Sequence, residues 1–242
     1  MKITTLLFLF SLPLFLSAQE DFYVYDYIWE GEPTILQVPE HLKEEPEIVL
    51  KETKLTEFGY GSDGRLMEIR LDHKVIHVNS DDAIEDNNKI YLAYSEDNSI
   101  LSQMARVIKA DGKVVIMNKD DIQTSEDEKT GRSLRYFAID DLAIGDQVET
   151  FTRMSYSPNY TGVIRYIQSS VPKLDYTYKI ISPKNLGFDY KGFNGFPGVE
   201  LDTNIIEDKH AVSVHINEVP KFKREISANY EVNFMKVVYK LE

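Results

Sequence analysis

The sequence predicts an all-β protein with minor helix, built as an antiparallel β-sandwich with long twisted strands. Three observations carry that expectation. Several segments alternate apolar and polar residues with period two, the signature of a strand wet on one face. Asp-Gly and Gly-Asp pairs separate apolar runs, where tight turns need them. Long amphipathic stretches of 3.6 period are hard to find, and no strand–helix–strand rhythm supports a parallel sheet layered with helices.

In chain order, Lys2 gives a positive start, and Leu6 to Phe15 form an apolar run broken by Ser11 and Pro13. Ser17-Ala18 then precede Gln19 as small residues at a cleavage site. Residues 1–18 are expected to be a signal peptide, too short for a membrane anchor, so the chain is expected to be exported. Residues 19–43 read as an N-terminal strand (Phe22 to Trp29) followed by a linker, the stretch Gln37 to Glu47 being rich in Pro and Glu. Residues 44–242 read as the sandwich domain. Within it, Met67, Ile69, Leu71 and Val75 alternate with Glu68, Arg70, Asp72 and Lys74. Leu174 to Ile180 and Val212 to Ile216 repeat the pattern, and Val148 to Thr152 is a weaker case. Asp63-Gly64 and Asp111-Gly112 sit where hairpin turns are needed, the second between Met104–Ile108 and Val114–Met117. Gly145-Asp146 breaks another pair of apolar segments. Short helices are expected within Asn79–Tyr94 and Val219–Ile226, and Asn118 to Arg132 reads as a charged surface loop.

Composition then removes whole classes of function. Forty acidic against 27 basic residues, a net charge of −13, argue against nucleic acid, which needs a concentrated positive face. The acidity is spread along the chain and suits solubility outside the cell. A 43% hydrophobic, 12% aromatic chain is too apolar to stay disordered. After the signal, no stretch approaches the ~20 apolar residues of a membrane span. The absence of cysteine excludes a lipoprotein anchor, a disulfide and a thiol nucleophile or ligand.

The remaining chemistry is sparse. His73 and His77 face the same side of a strand, but four residues of extended chain separate them by about 13 Å, too far for one metal ion. His210 and His215 fall on opposite faces, and His41 is isolated. Asp81, Asp82, Glu85 and Asp86 lack the spacing of a calcium loop. Gly-x-Ser-x-Gly, P-loop and dinucleotide fingerprints are missing. A hydrolase with a carboxylate pair stays open as a rival, although the sequence nominates no pair. The segment 185–198, NLGFDYKGFNGFPG, sets Phe188, Tyr190, Phe193 and Phe196 among glycines. These rings make a candidate surface for a partner protein or a glycan, or else fold back onto the core.

The order of landmarks resembles a known family. Glu45-Pro46-Glu47-Ile48-Val49-Leu50 opens a strand, followed by Asp63-Gly64 and a strand through His73. ARVIKADGKVV (Ala105 to Val115) and AIDDLAIGDQVE (Ala138 to Glu149) come next. Pro172 ahead of an alternating strand and Ile181-Ser182-Pro183 complete the set. This set is similar to the domain of unknown function 3857 family over Glu44 to Leu241. The resemblance implies a β-rich domain of Bacteroidetes-type envelope proteins, one that follows a signal peptide and precedes a transglutaminase-like domain. That partner domain would carry the Cys-His-Asp chemistry; nothing here matches it.

The chain is therefore expected to be a non-catalytic accessory or interaction module with no cofactor and no metal of its own. Its expected place is the periplasm or cell envelope. Its expected partner is a protein or a downstream transglutaminase-like domain, with a glycan held by the aromatic loop as the alternative.

Overall fold

The computed structural model describes residues 22–29, 31, 33–93, 99–127, 131, 133–202, 209–222 and 230–242, with backbone alone at 230 and 231. Residues 1–18, expected as a signal peptide, lie outside them. Among the described residues an eight-stranded sheet dominates. In spatial order it holds β12 (Glu200–Leu201), β13 (Lys209–Val219), β10 (Lys173–Pro183), β1 (Glu47–Tyr60), β2 (Leu66–Val78), β8 (Gln147–Tyr156), β4 (Ile100–Ile108) and β5 (Val114–Ile116). A second sheet joins β11 (Phe188–Phe193), β14 (Lys236–Leu241) and β9 (Val163–Tyr166). A third joins β3 (Lys89–Tyr91), β7 (Ser133–Ala138) and β6 (Ile122–Glu126).

The expected mostly-β fold is present, with most neighbours antiparallel. Both Asp-Gly hairpins form where the sequence puts them. Gly64 and Gly112 take φ of 74° and 89°, conformations that a Cβ disfavours, and close the β1·β2 and β4·β5 turns. At Gly145-Asp146 the buried Asp146 carboxylate accepts from the Ala110 and Ala143 N–H groups at 3.0 and 2.9 Å, which pins the turn. One pair departs from the expected antiparallel order. β1 and β10 run parallel, with Glu52 beside Tyr176 and Leu55 beside Lys179. A parallel neighbour needs a long return. The chain supplies it by leaving the large sheet after β8, adding β9 to the second sheet, and only then entering β10.

Alternation along β2 sends Ile69, Leu71, His73 and Val75 to one face of the sheet, and Glu68, Arg70, Asp72 and Lys74 to the other. The first face is covered by the N-terminal segment. Phe22 to Trp29 is not the expected strand but a 3-10 turn (Tyr23–Tyr25) followed by irregular chain. Glu57 is the reason. Its buried carboxylate accepts the Tyr23 N–H at 3.0 Å and the Val24 N–H at 2.7 Å, so the segment lies on the sheet instead of pairing at an edge. Phe22 and Val24 are buried with Leu55, Ile69, Leu71 and Ile181. Farther along, the Leu36 backbone exchanges two hydrogen bonds with the Gln147 amide, at 3.1 and 2.7 Å.

The second face is covered at two ends. The β11·β14·β9 sheet packs Val237, Tyr239 and Val163 against Phe58, Tyr176, Tyr178 and Ile180. Beside the third sheet, helix α1 (Asp81–Asn87) and the 139–142 turn pack Ala83, Ile139 and Leu142 against Val78, Val107 and Val148. This helix lies inside the expected 79–94 window and starts where Ser80 accepts the Ala83 N–H at 3.1 Å. The 118–132 segment, expected as a loop, contains β6, because Ile122 to Glu126 finds β7 as a partner. At the other expected helix, β13 extends to Val219, and residues 223–229 lie outside the described set.

Gly59 fixes how closely the N-terminal segment approaches. A Cβ there would stand 2.4 Å from the Phe22 ring. Gly59→Ala is expected to lower stability by about 1–3 kcal/mol, the usual cost of overpacking, measured by urea unfolding. It is also expected to speed proteolytic cleavage within 22–38, and unchanged cleavage would show that Phe22 is not held there.

Candidate binding groove

Among the described residues one polar cluster on each face of the large sheet stands out, the first sealed and the second open. On the covered face, register sets His73 beside Phe151 and Arg106 beside Glu149. His73 Nε2 donates to Glu149 Oε1 at 2.7 Å, and its Nδ1 meets the Tyr27 hydroxyl at 2.7 Å. Arg106 Nε donates to the other Glu149 oxygen, and its guanidinium lies 4.4 Å from the Trp29 ring centroid. Tyr27 and Trp29 also stack on Phe151 at 6.2 and 6.3 Å, closing the cluster from above. Burial alone would raise the Glu149 carboxyl; hydrogen bonds from His73 and Arg106 more than reverse this and hold it below the ordinary range. A carboxylate, an imidazole and a phenol in line suggest acid–base chemistry. Here they are capped by aromatic rings and spend their hydrogen bonds on one another. His77 shares this face four residues on and lies beside Gln147. Burial pushes its imidazole pKa down. Among the described residues no group of three His, Asp or Glu side chains could hold a metal ion.

The other face is open between its two covers. A groove of about 600 Å³ runs over β1, β2 and β8. A smaller one of about 230 Å³ continues from it and shares Lys74, Thr150 and Thr152. Lys54 of β1 stands beside Asp72 of β2, and Asp72 beside Thr152 of β8. Along one wall runs β9, through Ile164, Arg165 and Tyr166; the smaller groove runs along β3, through Lys89, Ile90 and Tyr91.

Four cations (Lys54, Arg70, Lys74, Arg165) and two carboxylates (Glu52, Asp72) line the larger groove. Lys54 pairs with Asp72 and lies 3.0 Å from Glu52, whose second oxygen accepts from Lys173 at 2.6 Å. Arg70 donates to the fully buried Glu68 and covers the Tyr156 ring at 4.1 Å. Arg165 approaches Glu68 at 3.6 Å. Lys74 makes no ion pair among the described residues, so positive charge is in excess. Burial would lower the Lys54 ammonium, but Asp72 and Glu52 outweigh it and raise its pKa. Burial would raise Glu52, but Lys54 and Lys173 hold it low. Arg165 is raised despite its burial by Tyr239, Tyr178 and Glu68, and burial raises Tyr178 strongly. The Tyr178 hydroxyl on the groove floor has no hydrogen-bond partner in good geometry among the described residues.

The four aromatic residues of 185–198 are not brought onto one surface. β11 sends Phe188 and Tyr190 to the side of Leu241 and Tyr239, and Phe193 to the opposite side, under Lys191 and Lys236. Phe188 and Phe196 pack against the core, and Tyr190 is exposed. Phe196 lies against Gly192, where a Cβ would meet its ring at 2.3 Å. Sequence reasoning passed over the groove because Arg70, Asp72 and Lys74 looked like an ordinary wet face. The available signal was their mixed charge on a strand long enough to cross the whole sheet.

Residues 68–223 match the family described as "Domain of Unknown Function with solved-structure structure (DUF3857)". The chain belongs to that family. No curated protein matches it in sequence. In fold, this DUF3857 chain is similar to the crystal structure of a candidate protease from Parabacteroides distasonis ATCC 8503. The TM-score is 0.63 at 13% identity, over 80% of this chain and 40% of that one. The M1 zinc metallopeptidase of Deinococcus radiodurans aligns at a TM-score of 0.39 and 10% identity, over 81% of this chain and 42% of the other. The DUF3857 chain thus spans well under half the length of these structures. Among its described residues no helix is long and apolar enough to cross a membrane.

Two outcomes are expected. Glu149→Ala leaves the buried Arg106 guanidinium without its counter-charge and should cost about 3–5 kcal/mol in urea unfolding. Glu52 and Glu149 are both depressed in the folded state, so the unfolded chain binds their protons more tightly. Their contribution is complete above the ordinary carboxyl value of about 4.5 and lost as the pH falls through their folded values. Unfolding free energy measured from neutral pH downward should hold level and then fall below that point. A level profile throughout the acid range would contradict the pairing.

Proposed function

We propose that this domain is a non-catalytic interaction module, exported to the periplasm or cell envelope, that holds another polypeptide on the open face of its large sheet. One observation carries the reading. Every groove-lining group with a shifted pKa is moved away from neutrality: Lys54 and Arg165 up, Tyr178 up, Glu52 down. A general acid or base works best with a pKa near the ambient pH, and these four are fixed in one protonation state there. Fixed charge serves recognition, where complementary potentials select a partner and its register.

Export is supported by Lys2, the Leu6–Phe15 apolar run and Ser17-Ala18. The family resemblance favours a transglutaminase-like domain as the partner or as part of the same assembly. The candidate-protease name of the Parabacteroides distasonis relative belongs to a chain of which this fold covers 40%.

The test is turnover. The purified protein, incubated with peptide, ester and glycoside substrate mixtures at neutral pH, is expected to leave them unchanged. Product formation abolished by Lys54→Met or Arg70→Met, in variants that still unfold cooperatively, would overturn the non-catalytic reading.

A further inference from the structure

We propose that the groove takes an acidic polypeptide segment in extended form, which adds to the open edge of β9 as a fourth strand of the second sheet. The proposal rests on the interaction-module reading and specifies its ligand and contact. Among the described residues β9 pairs with β14 alone: Tyr166 faces Lys236 and Val163 faces Tyr239. Its other edge borders the larger groove through three consecutive residues, Ile164, Arg165 and Tyr166. An antiparallel strand with one neighbour directs every second N–H and C=O away from that neighbour, and those groups need a partner. The large sheet ends in β5 of three residues and β12 of two, and the longer edges β11 and β6 of the small sheets do not line the larger groove. β9 is the described edge strand that lines the larger, charged groove, while the three-residue β3 lines the smaller one.

Selectivity comes from that floor. A strand laid along β9 alternates its side chains, so one set points down toward β1 and β2. There it meets the surplus cation Lys74, with Lys54, Arg70 and Arg165 around it and the Tyr178 side chain below. Carboxylates suit that set, because the existing acids Glu52 and Asp72 are already paired. The other set points outward, level with the exposed Ile164 and Tyr166, and meets apolar surface there. Main-chain bonds to the edge supply affinity and alternate pockets supply choice, as in other strand-addition complexes.

The probe is a capped peptide of alternating Glu and Val, about ten residues or ~33 Å when extended. It is titrated into the full chain by calorimetry and followed by amide hydrogen exchange. The peptide is expected to bind saturably and to add protection at Val163–Tyr166. The same peptide N-methylated at alternate residues keeps its charge but loses its strand donors, and should bind at least about tenfold more weakly. A Lys-Val peptide should bind more weakly still, and Lys74→Glu should weaken the Glu-Val peptide about tenfold. The methylated peptide tests the native protein, so the result does not depend on that variant folding. Absence of saturable binding, equal binding of the methylated peptide, or new protection at another edge instead of β9 would overturn the proposal. Cleavage of the bound peptide would sink the non-catalytic reading and leave the groove standing, whereas absence of binding leaves that reading intact.

Discussion

Four glutamates buried in the large sheet set the terms for the rest of the fold. Glu52, Glu57, Glu68 and Glu149 are each almost inaccessible, and each is met by a cation from another strand. Lys173 of β10 reaches Glu52, Lys209 of β13 reaches Glu57, Arg165 of β9 reaches Glu68, and Arg106 of β4 reaches Glu149. An unpaired buried carboxylate costs several kcal/mol, while a well-paired one contributes little net stability. These pairs therefore act mainly through the penalty for their absence. A strand packed one position out of register would bring the wrong side chain to the carboxylate and leave a charge uncompensated. The parallel β1·β10 pair and the docking of β9 are fixed in this way, along with ordinary apolar packing.

The same device serves two faces with opposite results. On the first, Glu149 and Glu57 are sealed by the N-terminal segment, through Tyr27, Trp29 and the Tyr23 and Val24 N–H groups. Their fields are spent inside the cluster, and the face becomes core. On the second, Glu52 and Glu68 hold cations at the border of a gap that the two small sheets leave uncovered. Charge there is partly compensated and partly exposed, so it is positioned without being used up. The difference between a sealed network and an open one is a matter of what covers it.

Much of this order was legible in the chain. The β2 alternation and both Asp-Gly turns follow from local rules, residue period and positive φ at glycine, and the 79–94 window holds the helix α1. What escaped depends on distant partners. Phe22 to Trp29 has the aromatic content of a strand and becomes a cover, because Glu57, more than thirty residues on, supplies the hydrogen bonds that a neighbouring strand would have given. β6 reads as a charged loop until β7 arrives to pair with it. The aromatic run at 185–198 looks like a single surface in one dimension, yet a strand divides it between two faces, and Gly192 admits Phe196 to one of them. The groove escaped for the same reason. Arg70, Asp72 and Lys74 define a wet face in sequence, and only the placement of β9 and β3 makes that face a channel.

A cationic groove on a chain of net charge −13 constrains how it can bind. At long range an acidic segment meets a repelling molecule, so the steering that speeds many charged associations is unavailable. That repulsion is screened beyond about 8 Å at physiological ionic strength, whereas the contacts made inside the groove are partly desolvated and screened much less. Recognition must then be a contact process, in which the β9 edge and the floor cations act together once a segment has entered. Such a surface discriminates against random acidic chains in solution, since only those able to extend along the edge recover the cost of approach. It favours a partner delivered at high effective concentration, by tethering or by membership of one assembly, over one captured by diffusion. Under the proposed reading, a partner held in the same assembly would supply that effective concentration.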